Sequence, residues 1–246
     1  MSCDIFYLTD NILIQNEKYY YENNQGDKKL IKNNNWHHLL KDYGWEKLNK
    51  NWIMKLNKLS DKKTKNSLYG CLDCGGNGDC MFSCISYAVN SNNFTNQIYD
   101  SQKLRFELSE YITPHIFNEI IEIYKISKLY GEFNEDWEPE LITIQDFKEI
   151  IKVGGNSYWG DFLLLNLLKD LLNVNFIVLN SDDETKQYCN YPLFYDYNKN
   201  IKTIILLYEN KCHFKLIGNY KDNTMNSLFT NETIPPEILK LINYLR

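Results

Sequence analysis

The fold is decided by the stretch Gly75-Gly76-Asn77-Gly78-Asp79-Cys80-Met81-Phe82-Ser83-Cys84-Ile85-Ser86-Tyr87-Ala88. Its glycines and polar residues favour a tight turn, because glycine reaches backbone conformations that other residues avoid. The apolar residues that follow, Phe82, Ile85 and Val89, recur at the spacing of one helix face. Cys80 therefore stands at the predicted start of a helix. There the helix dipole and the backbone N–H groups favour thiolate over thiol and can hold an oxyanion, which makes Cys80 a candidate nucleophile.

The composition is that of a globular protein with an acidic balance. The chain has 246 residues, is 43% hydrophobic and carries a net charge of −5, which argues against general nucleic-acid binding. The segment 41–66 has eight lysines and three acidic residues, a local charge of +5, so the remainder carries −10. An acidic remainder suits a basic protein partner better than a polyanion.

The cysteines and the N-terminus predict a protein of a reducing compartment. The chain has seven cysteines, an odd number, and begins Met-Ser-Cys-Asp without the basic and apolar regions of a signal peptide. The apolar run 162–179 is interrupted by charged and polar residues, so it does not predict a membrane span. We expect a soluble, cytoplasmic monomer. The abundance of Asn, Lys, Ile and Tyr fits an AT-rich virus or intracellular bacterium, for which the compartment would be the host cytosol.

The sequence pattern divides the chain into three parts. Residues 1–66 are predicted to form a basic, mostly helical region of unknown role, with two amphipathic helices within Trp36–Leu59. Residues 67–220 are predicted to form the main domain. Residues 221–246 are predicted to be a loop and a helix that pack on that domain.

Within the main domain, helices precede strands. The predicted helices are Cys80 to about Asn90, one or two within Ser101–Tyr130 with Pro114 at a break or first turn, Ile144–Val153, and a Leu-rich helix after Asp161; the predicted strands are 175–179, 203–208 and 212–217. His213 lies in the last of these strands. A helix packed on a sheet can bring a cysteine at the helix N-terminus to a histidine on a strand, which is the arrangement that thiol hydrolases need.

Three blocks of the sequence resemble the ovarian tumour (OTU) family of deubiquitinating cysteine proteases. Asn77–Phe82 resembles the family signature Asp-Gly-Asn-Cys-Leu-Phe. Trp159-Gly160 leads a Leu-rich helix and a strand, and His213-Phe214 follows a strand and a turn, in the order and spacing of the family; Leu104-Arg105 is a weaker fit. The resemblance covers about Tyr69 to Gly218, and three blocks in order are more specific than any one of them.

The resemblance implies a papain-like α/β (α+β) fold with a small sheet packed between helices, and an activity that removes ubiquitin or a ubiquitin-like modifier from lysine side chains. It implies Cys80 as the nucleophile, His213 as the general base and Asn77 as a further catalytic residue. The backbone N–H groups of Gly78 and Asp79 would line the oxyanion hole. Ubiquitin or polyubiquitin is the implied partner, and neither a cofactor, a metal, a nucleic acid nor a membrane is expected.

Two further residues are candidates for substrate binding. Trp159 can contact the substrate or pack ahead of the helix that follows it. Asp161 is one of four acidic residues that could meet the basic C-terminal tail of ubiquitin. The other three are Asp136, Glu138 and Glu140.

The sequence departs from the family at two positions. The family usually has Asp three residues before the cysteine, where this chain has Asn77, and the acid stands instead at Asp79. The family often orients its histidine with Asp or Asn two residues later, where this chain has Lys215. A cation cannot stabilise an imidazolium, so the third catalytic member must come from elsewhere or be missing. The candidates are Asp61, Asp73 and Asn210.

Two other functions stay open from the sequence. A protein that keeps the fold and binds ubiquitin without turnover is favoured by Lys215. A zinc-stabilised interaction module is suggested by Cys71-x2-Cys74 and Cys80-x3-Cys84. The second pair lies within an apolar helical pattern, however, and zinc half-sites are usually separated by more residues. Cys84 is therefore interpreted as a core residue.

Overall fold

The computed structural model describes residues 5–60, 67–91, 97–133, 135–181 and 191–243. These residues form two compact units. We call them the sheet unit, made of Met1–Asp73 and Asn175–Arg246, and the helical unit, made of Cys74–Val174.

The sheet unit contains the strands of the described chain. They are β1 (Ile5–Tyr7), β2 (Ile12–Gln15), β3 (Lys18–Glu22), β4 (Lys28–Leu30), β5 (Trp45–Lys47), β6 (Tyr69–Leu72), β7 (Val174–Ser181), β8 (Pro192–Phe194), β9 (Lys202–Glu209), β10 (His213–Lys221), β11 (Thr224–Asn226) and β12 (Leu228–Phe229). β1 to β4 form a four-stranded antiparallel sheet in chain order. The second sheet has the order β5-β6-β10-β9-β7-β8, with β11 paired to β10 and β12 to β9. β10 therefore lies between β6 and β9, and this position fixes the surroundings of its first residues.

Three helices accompany these strands in the sheet unit: α1 (Trp36–Leu39), α2 (Lys50–Leu59) and α8 (Pro236–Asn243). The apolar faces of α2 and α8 share one core with the second sheet. Trp52 and Leu56 of α2 are fully buried in it, and the Trp52 indole N–H donates to the Asn180 carbonyl across 2.7 Å. Burial of each such side chain contributes roughly 1.5–3 kcal/mol. Residues of the N-terminal part thus belong to the same core as the central strands.

The helical unit contains α3 (Cys80–Ser91), α4 (Ser101–Tyr111), α5 (Pro114–Leu129), α6 (Ile144–Val153) and α7 (Phe162–Leu172). Four of these helices begin at a side chain that accepts a backbone N–H from the first turn, which satisfies a donor that the helix itself leaves unpaired. The capping residues are Asp100, Thr113, Thr143 and Asp161. Within the described ranges, no helix has the length and apolar character needed to cross a lipid bilayer.

Most predicted elements of the main domain are confirmed. The helix that begins at Cys80, the helix entered by Pro114, the helix Ile144–Val153 and the Leu-rich helix after Asp161 are all present. The sequence also predicts a polar loop over Ser181–Tyr191, which lies largely outside the described residues, because 182–190 are not described.

Two predictions about architecture are wrong. Residues 1–66 are not mostly helical, since β1 to β5 lie there; the consecutive tyrosines of β3 give no alternation from which a strand could be read. β5 also pairs with β6, so the predicted boundary at residue 66 falls inside one sheet. Residues 221–246 contain β11 and β12 as well as the predicted helix. The main sheet has eight strands, and the predicted mixed α/β class is confirmed. Strands of two or three residues are too short to show a period.

Candidate active site

The glycine loop of the helical unit leads directly into α3. Asn77 is exposed and has a φ of 59°, a left-handed conformation that asparagine tolerates better than most residues. Gly78 is buried with a φ of +87°, and a Cβ placed there would lie 1.9 Å from the Gly155 carbonyl oxygen. Only glycine fits this position. Cys80 is the first residue of α3 and only 7% exposed, so its predicted place at a helix N-terminus is confirmed.

Asp79 connects the loop to the rest of the helical unit. Its carbonyl accepts the N–H of Ser83 across 2.8 Å, the first hydrogen bond of α3. Its carboxylate oxygen Oδ1 accepts from Arg105 Nε at 2.7 Å and from the Gly155 N–H at 3.2 Å. The Asp79 N–H donates to the Gly76 carbonyl across 3.3 Å, a long and therefore weak bond. The assignment of Gly78 and Asp79 as oxyanion donors stays a prediction, and Asp79 would exchange this weak bond for one to the substrate.

Trp159 lies beside the same loop. Its Cδ1 atom is 3.0 Å from the position that a Cβ at residue 78 would occupy, and the side chain is 46% exposed. One part of the indole thus packs on the loop while another part faces solvent. This arrangement allows both roles considered from the sequence, and substrate contact by Trp159 stays a prediction.

Asp161 is occupied by intramolecular contacts. Its Oδ1 accepts the Leu164 N–H across 2.8 Å and caps α7, while Oδ2 accepts the Tyr124 hydroxyl at 2.5 Å and lies 3.5 Å from the Tyr158 hydroxyl. Burial raises the pKa of the Asp161 carboxyl, and these hydrogen bonds oppose the rise. Both oxygens have partners in the protein. This favours a helix cap over the predicted contact with substrate, and we do not include Asp161 in the proposed substrate site.

His213 begins β10 in the sheet unit and pairs with Glu209 of β9. Its Nε2 atom is buried and lies 3.1 Å from Oδ2 of Asp73, at ion-pair distance although outside the angles of a hydrogen bond. The antiparallel register explains the contact: Leu72 of β6 pairs with Leu216, so Asp73, one residue beyond the strand, comes opposite the start of β10.

The three candidates for the third catalytic member therefore separate. Asp61 lies outside the described residues. Asn210 is exposed in the hairpin turn with a φ of 52°. Asp73 is the candidate that the structure brings to His213. The sequence could not rank it, because the contact depends on the pairing of two strands far apart in the chain.

Lys215, the residue that departs from the family pattern, has an acidic partner. Its Nζ atom lies 2.6 Å from Oε2 of Glu209. Burial alone would lower the pKa of Lys215, but the hydrogen bond to Glu209 and the nearby Asp73 outweigh it and raise the pKa. The positive charge beside the histidine is thus compensated by two carboxylates.

The remaining cysteines near the loop have the character of core thiols. Burial raises the pKa of Cys84 well above its ordinary value, and a hydrogen bond with Cys74 adds to the rise. Burial likewise raises the pKa of the Cys71 thiol to about 11. Thiols of this kind are poor nucleophiles at neutral pH. In the described part of the chain, no three His, Cys, Asp or Glu side chains are grouped as a metal site.

Comparisons with known proteins give the family. A family model described as OTU-like cysteine protease matches residues 75–214, more than half of the 246-residue chain. Among solved structures, an ovarian tumour (OTU) domain in complex with ubiquitin shares 16% identity, with 72% of this chain and 84% of that chain covered and a TM-score of 0.42. An OTU deubiquitinase from Wolbachia pipientis wMel shares 14% identity, with 70% and 96% covered and a TM-score of 0.40. No curated protein matches the chain in sequence.

The match of the family model begins within the glycine loop and ends at Phe214, so it includes both Cys80 and His213. The resemblance stated from the three sequence blocks is confirmed. The chain belongs to the OTU-like cysteine protease family.

Proposed function

We propose that this protein is a deubiquitinating enzyme that hydrolyses the isopeptide bond between the C-terminal glycine of ubiquitin, or of a ubiquitin-like modifier, and a lysine side chain. Membership of the OTU-like cysteine protease family supports the reaction class. The observation that carries the proposal for this chain is the contact between His213 and Asp73. Asp73 would serve as the third catalytic member that the sequence lacks at position 215.

In the proposed reaction the Cys80 thiolate attacks the carbonyl carbon of the ubiquitin glycine. The carbonyl oxygen becomes an oxyanion, which backbone N–H groups of the glycine loop would stabilise. The tetrahedral intermediate collapses to a thioester as the C–N bond breaks, and His213 gives its proton to the departing lysine amine. Water then attacks the thioester while His213 takes its proton. The products are the free ubiquitin carboxylate and the restored Cys80.

Asp73 would act on this reaction through His213. A carboxylate beside Nε2 favours the tautomer that keeps the proton there, which leaves Nδ1 to exchange protons with the nucleophile and the leaving group. The same carboxylate stabilises the imidazolium that forms during the cycle. Asp73 is therefore proposed as the residue that orients the base.

The alternative, a ubiquitin-binding scaffold without turnover, was favoured by Lys215 alone. In the structure that lysine is paired with Glu209, and the carboxylate that the family often places after the histidine is replaced by Asp73 on the neighbouring strand segment. The departure is thus compensated, and this supports turnover.

Acidic residues of the helical unit could still select the basic tail of ubiquitin. Lys128 pairs with Glu138 and with Glu140, so Asp136 is the residue of this exposed segment for which we propose contact with the tail. Asp136→Lys should raise KM by roughly 3- to 10-fold and change kcat by less than about twofold. Glu119→Lys, an exposed charge reversal on α5, is the control. Equal KM values for Asp136→Lys and wild type would contradict the contact.

We further propose that the protein is a monomer that acts on polyubiquitin in a host cytosol, where a viral or bacterial deubiquitinase would alter host signalling. Among the described residues, Cys71, Cys74, Cys80, Cys84 and Cys212 are not joined in disulfides, which supports a reducing compartment. Tagged protein expressed in host cells should be cytoplasmic and should lower the level of ubiquitin conjugates, whereas Cys80→Ala should not. A tagged protein confined to a membrane fraction would contradict the location.

The experiment that tests the proposed function uses ubiquitin with a C-terminal electrophile. Wild-type protein should form a covalent adduct, and Cys80→Ala should form none. His213→Ala should label slowly and lose turnover of di-ubiquitin by about 10³-fold or more. Binding of ubiquitin by wild type without adduct or turnover would overturn the enzyme proposal in favour of the scaffold.

A further inference from the structure

One charged side chain is completely buried in the helical unit, and the proposed mechanism does not use it. Arg105 of α4 is 0% exposed. Removing a guanidinium from water is costly unless hydrogen bonds and an opposite charge replace the water. Burial lowers the pKa of Arg105, and the Asp79 carboxylate opposes this. Packing alone does not explain a guanidinium at this position, because an apolar side chain would fill the space without the cost of desolvation.

The partners of Arg105 lie in three segments. Nε donates to Asp79 Oδ1 at 2.7 Å, and Nη2 donates to the carbonyls of Gly78 at 3.1 Å and Tyr158 at 3.0 Å. Nη1 donates to the Ile151 carbonyl at 3.2 Å. The guanidinium also stacks 4.1 Å from the centre of the Phe82 ring, in the first turn of α3. One side chain thus ties the loop before the nucleophile to the end of α6 and to the segment ahead of α7.

The segment around Gly154 is shaped to admit this side chain. Gly154 has a φ of +68° and a ψ of −156°, a combination that only glycine adopts readily. A Cβ there would lie 2.6 Å from Nε and 2.7 Å from Cδ of Arg105. The following residue, Gly155, donates its N–H to Asp79, the same carboxylate that Arg105 binds. Arg105 and Gly155 thus hold the glycine loop through the same Asp79 carboxylate.

The hydrogen bond to the Gly78 carbonyl has a chemical consequence. The peptide bond between Gly78 and Asp79 is planar and trans, since no cis peptide is present among the described residues. In a trans peptide the C=O and the following N–H point in opposite directions. With the Gly78 oxygen fixed on Arg105, the Asp79 N–H is fixed on the other side of the peptide, where it makes only its weak bond to Gly76.

We propose that Arg105 is a positioning residue that sets the orientation of the Gly78–Asp79 peptide, so that the Asp79 N–H is ready to receive the oxyanion. This inference rests on the proposed function and adds a residue to it. Loss of one oxyanion donor typically lowers kcat by about 10²–10³-fold. A donor that is present but less well oriented should lower kcat by less, roughly 10- to 100-fold.

The test compares Arg105→Lys and Arg105→Met with wild type, using a fluorogenic amide of ubiquitin as substrate. Lysine keeps the charge beside Asp79 but cannot reach all four acceptors; methionine keeps only the bulk. We expect kcat to fall by about 10-fold for lysine and by about 100-fold for methionine, with KM within about twofold of wild type. Lys103→Met removes a cation of the same helix that lies over the Tyr99 ring, and it should leave both constants unchanged.

Two reagents distinguish positioning from a general loss of structure. Alkylation of Cys80 by iodoacetamide needs no oxyanion stabilisation, so its rate should stay within about twofold of wild type in both variants. Ubiquitin aldehyde forms a hemithioacetal whose oxygen resembles the oxyanion, so its inhibition constant should rise in parallel with the loss of kcat. Alkylation that falls as much as kcat would overturn the proposal, because it would show damage to the nucleophile.

Asp79→Asn keeps the result decisive if the arginine variants do not fold. It preserves the shape and the oxygen that accepts from Arg105 and Gly155, but removes the charge that holds the guanidinium. We expect kcat to fall about 3- to 10-fold at unchanged KM, and an unchanged kcat would overturn the inference. Absence of turnover by wild type would instead overturn the proposed function, so the two failures are distinguishable.

Discussion

At the scale of single residues, the site is defined by an exchange of positions. The family often places an acid or amide two residues after the histidine, and this chain has Lys215 there. The Asp73 carboxylate lies next to the same histidine because β6 and β10 are neighbours, and we propose that it takes this role. Glu209 pairs with the lysine that results. The charged groups around the imidazole thus come from β9, from β10 and from the residue that follows β6.

This exchange predicts unequal effects of two substitutions. Asp73→Asn removes the carboxylate beside His213 and should lower kcat on the order of 10- to 10³-fold with little change in KM, because the histidine loses its orienting partner. Lys215→Gln should change kcat by less than about fivefold, since it removes a charge already neutralised. Steady-state hydrolysis of a ubiquitin amide measures both. Equal losses in the two variants would contradict the role given to Asp73.

The sequence predicted the residues whose signals are local. Cys80 could be recognised because the glycines and the helical pattern stand beside it, and His213 because a hairpin turn and an aromatic residue flank it. Asp73 could not be ranked among the candidates, because its contact with His213 depends on the pairing of β6 with β10, which no local sequence pattern predicts. Arg105 carried only a weak family signal in the sequence. Its role could not be predicted, because its four hydrogen-bond acceptors come from segments that are brought together only by folding.

At the scale of elements, α7 begins at an acidic cap, Asp161, that was also predicted to bind substrate. Asp161 is acidic and precedes a Leu-rich helix, so the sequence is compatible with a helix cap and with a contact to the basic tail of ubiquitin. In the structure it accepts hydrogen bonds from Leu164 and Tyr124, and Tyr124 also contacts the Tyr158 hydroxyl. The rings of both tyrosines belong to an aromatic cluster with Trp137 and Phe147. The residue that caps α7 is therefore hydrogen-bonded to a tyrosine of this buried aromatic cluster.

Asp161→Ala should accordingly reduce stability more than it reduces substrate affinity. Loss of the cap costs about 0.5–2 kcal/mol, and a buried tyrosine hydroxyl left without its acceptor costs about 1–3 kcal/mol more. Asp161→Asn keeps an acceptor for the helix and should lose less than half as much. Chemical denaturation of both variants, together with KM for a ubiquitin amide, tests this. A several-fold rise in KM at unchanged stability would restore Asp161 to the substrate site.

The elements that the sequence predicted are the ones with strong local signals. Helices α5, α6 and α7 have capping residues and apolar stripes, and their limits were predicted closely. β4, β5, β8, β11 and β12 have two or three residues each, and such short strands are specified by their neighbours in the sheet. The sheet of β1 to β4 was not predicted because β1 and β4 have three residues each and the consecutive tyrosines of β3 show no alternation.

At the scale of the whole molecule, the N-terminal region is part of the core and not an appendage. Its buried tryptophans, Trp36, Trp45 and Trp52, belong to the sheet unit, and Tyr220 of β10 donates to the Ile31 carbonyl at 3.0 Å. A chain that begins at Tyr69 should therefore lack a cooperative thermal transition. Removal of residues 1–10, which deletes the exposed β1, should shift Tm by only a few degrees. Calorimetry of both truncations tests this, and a Tyr69-onward protein with a Tm near that of the full chain would contradict it.

Stability should also depend on pH through Glu135. Burial, and then the charges of Asp161 and Asp136, raise the pKa of Glu135 to about 7. The folded state therefore holds a proton that the unfolded state releases near its ordinary pKa, about 4.3, so stability falls as the pH rises from there to about 7. Glu135→Gln should be more stable than wild type at pH 8, by on the order of 1 kcal/mol after solvent screening, and equal to it at pH 4. Denaturation at the two pH values measures this; a constant difference would contradict it.

The division of the chain also sets the order in which the enzyme is made. The sheet unit is interrupted between Asp73 and Asn175, and β10, which carries the proposed base, follows the whole helical unit in the chain. At a synthesis rate of about 5–20 residues per second, the ribosome produces Cys80 roughly 7 to 27 seconds before His213. Until then β6 lacks the neighbour that brings a histidine to Asp73. A polypeptide released at any point in this interval carries the proposed nucleophile without its base, so catalytic competence arises only after β10 has been made.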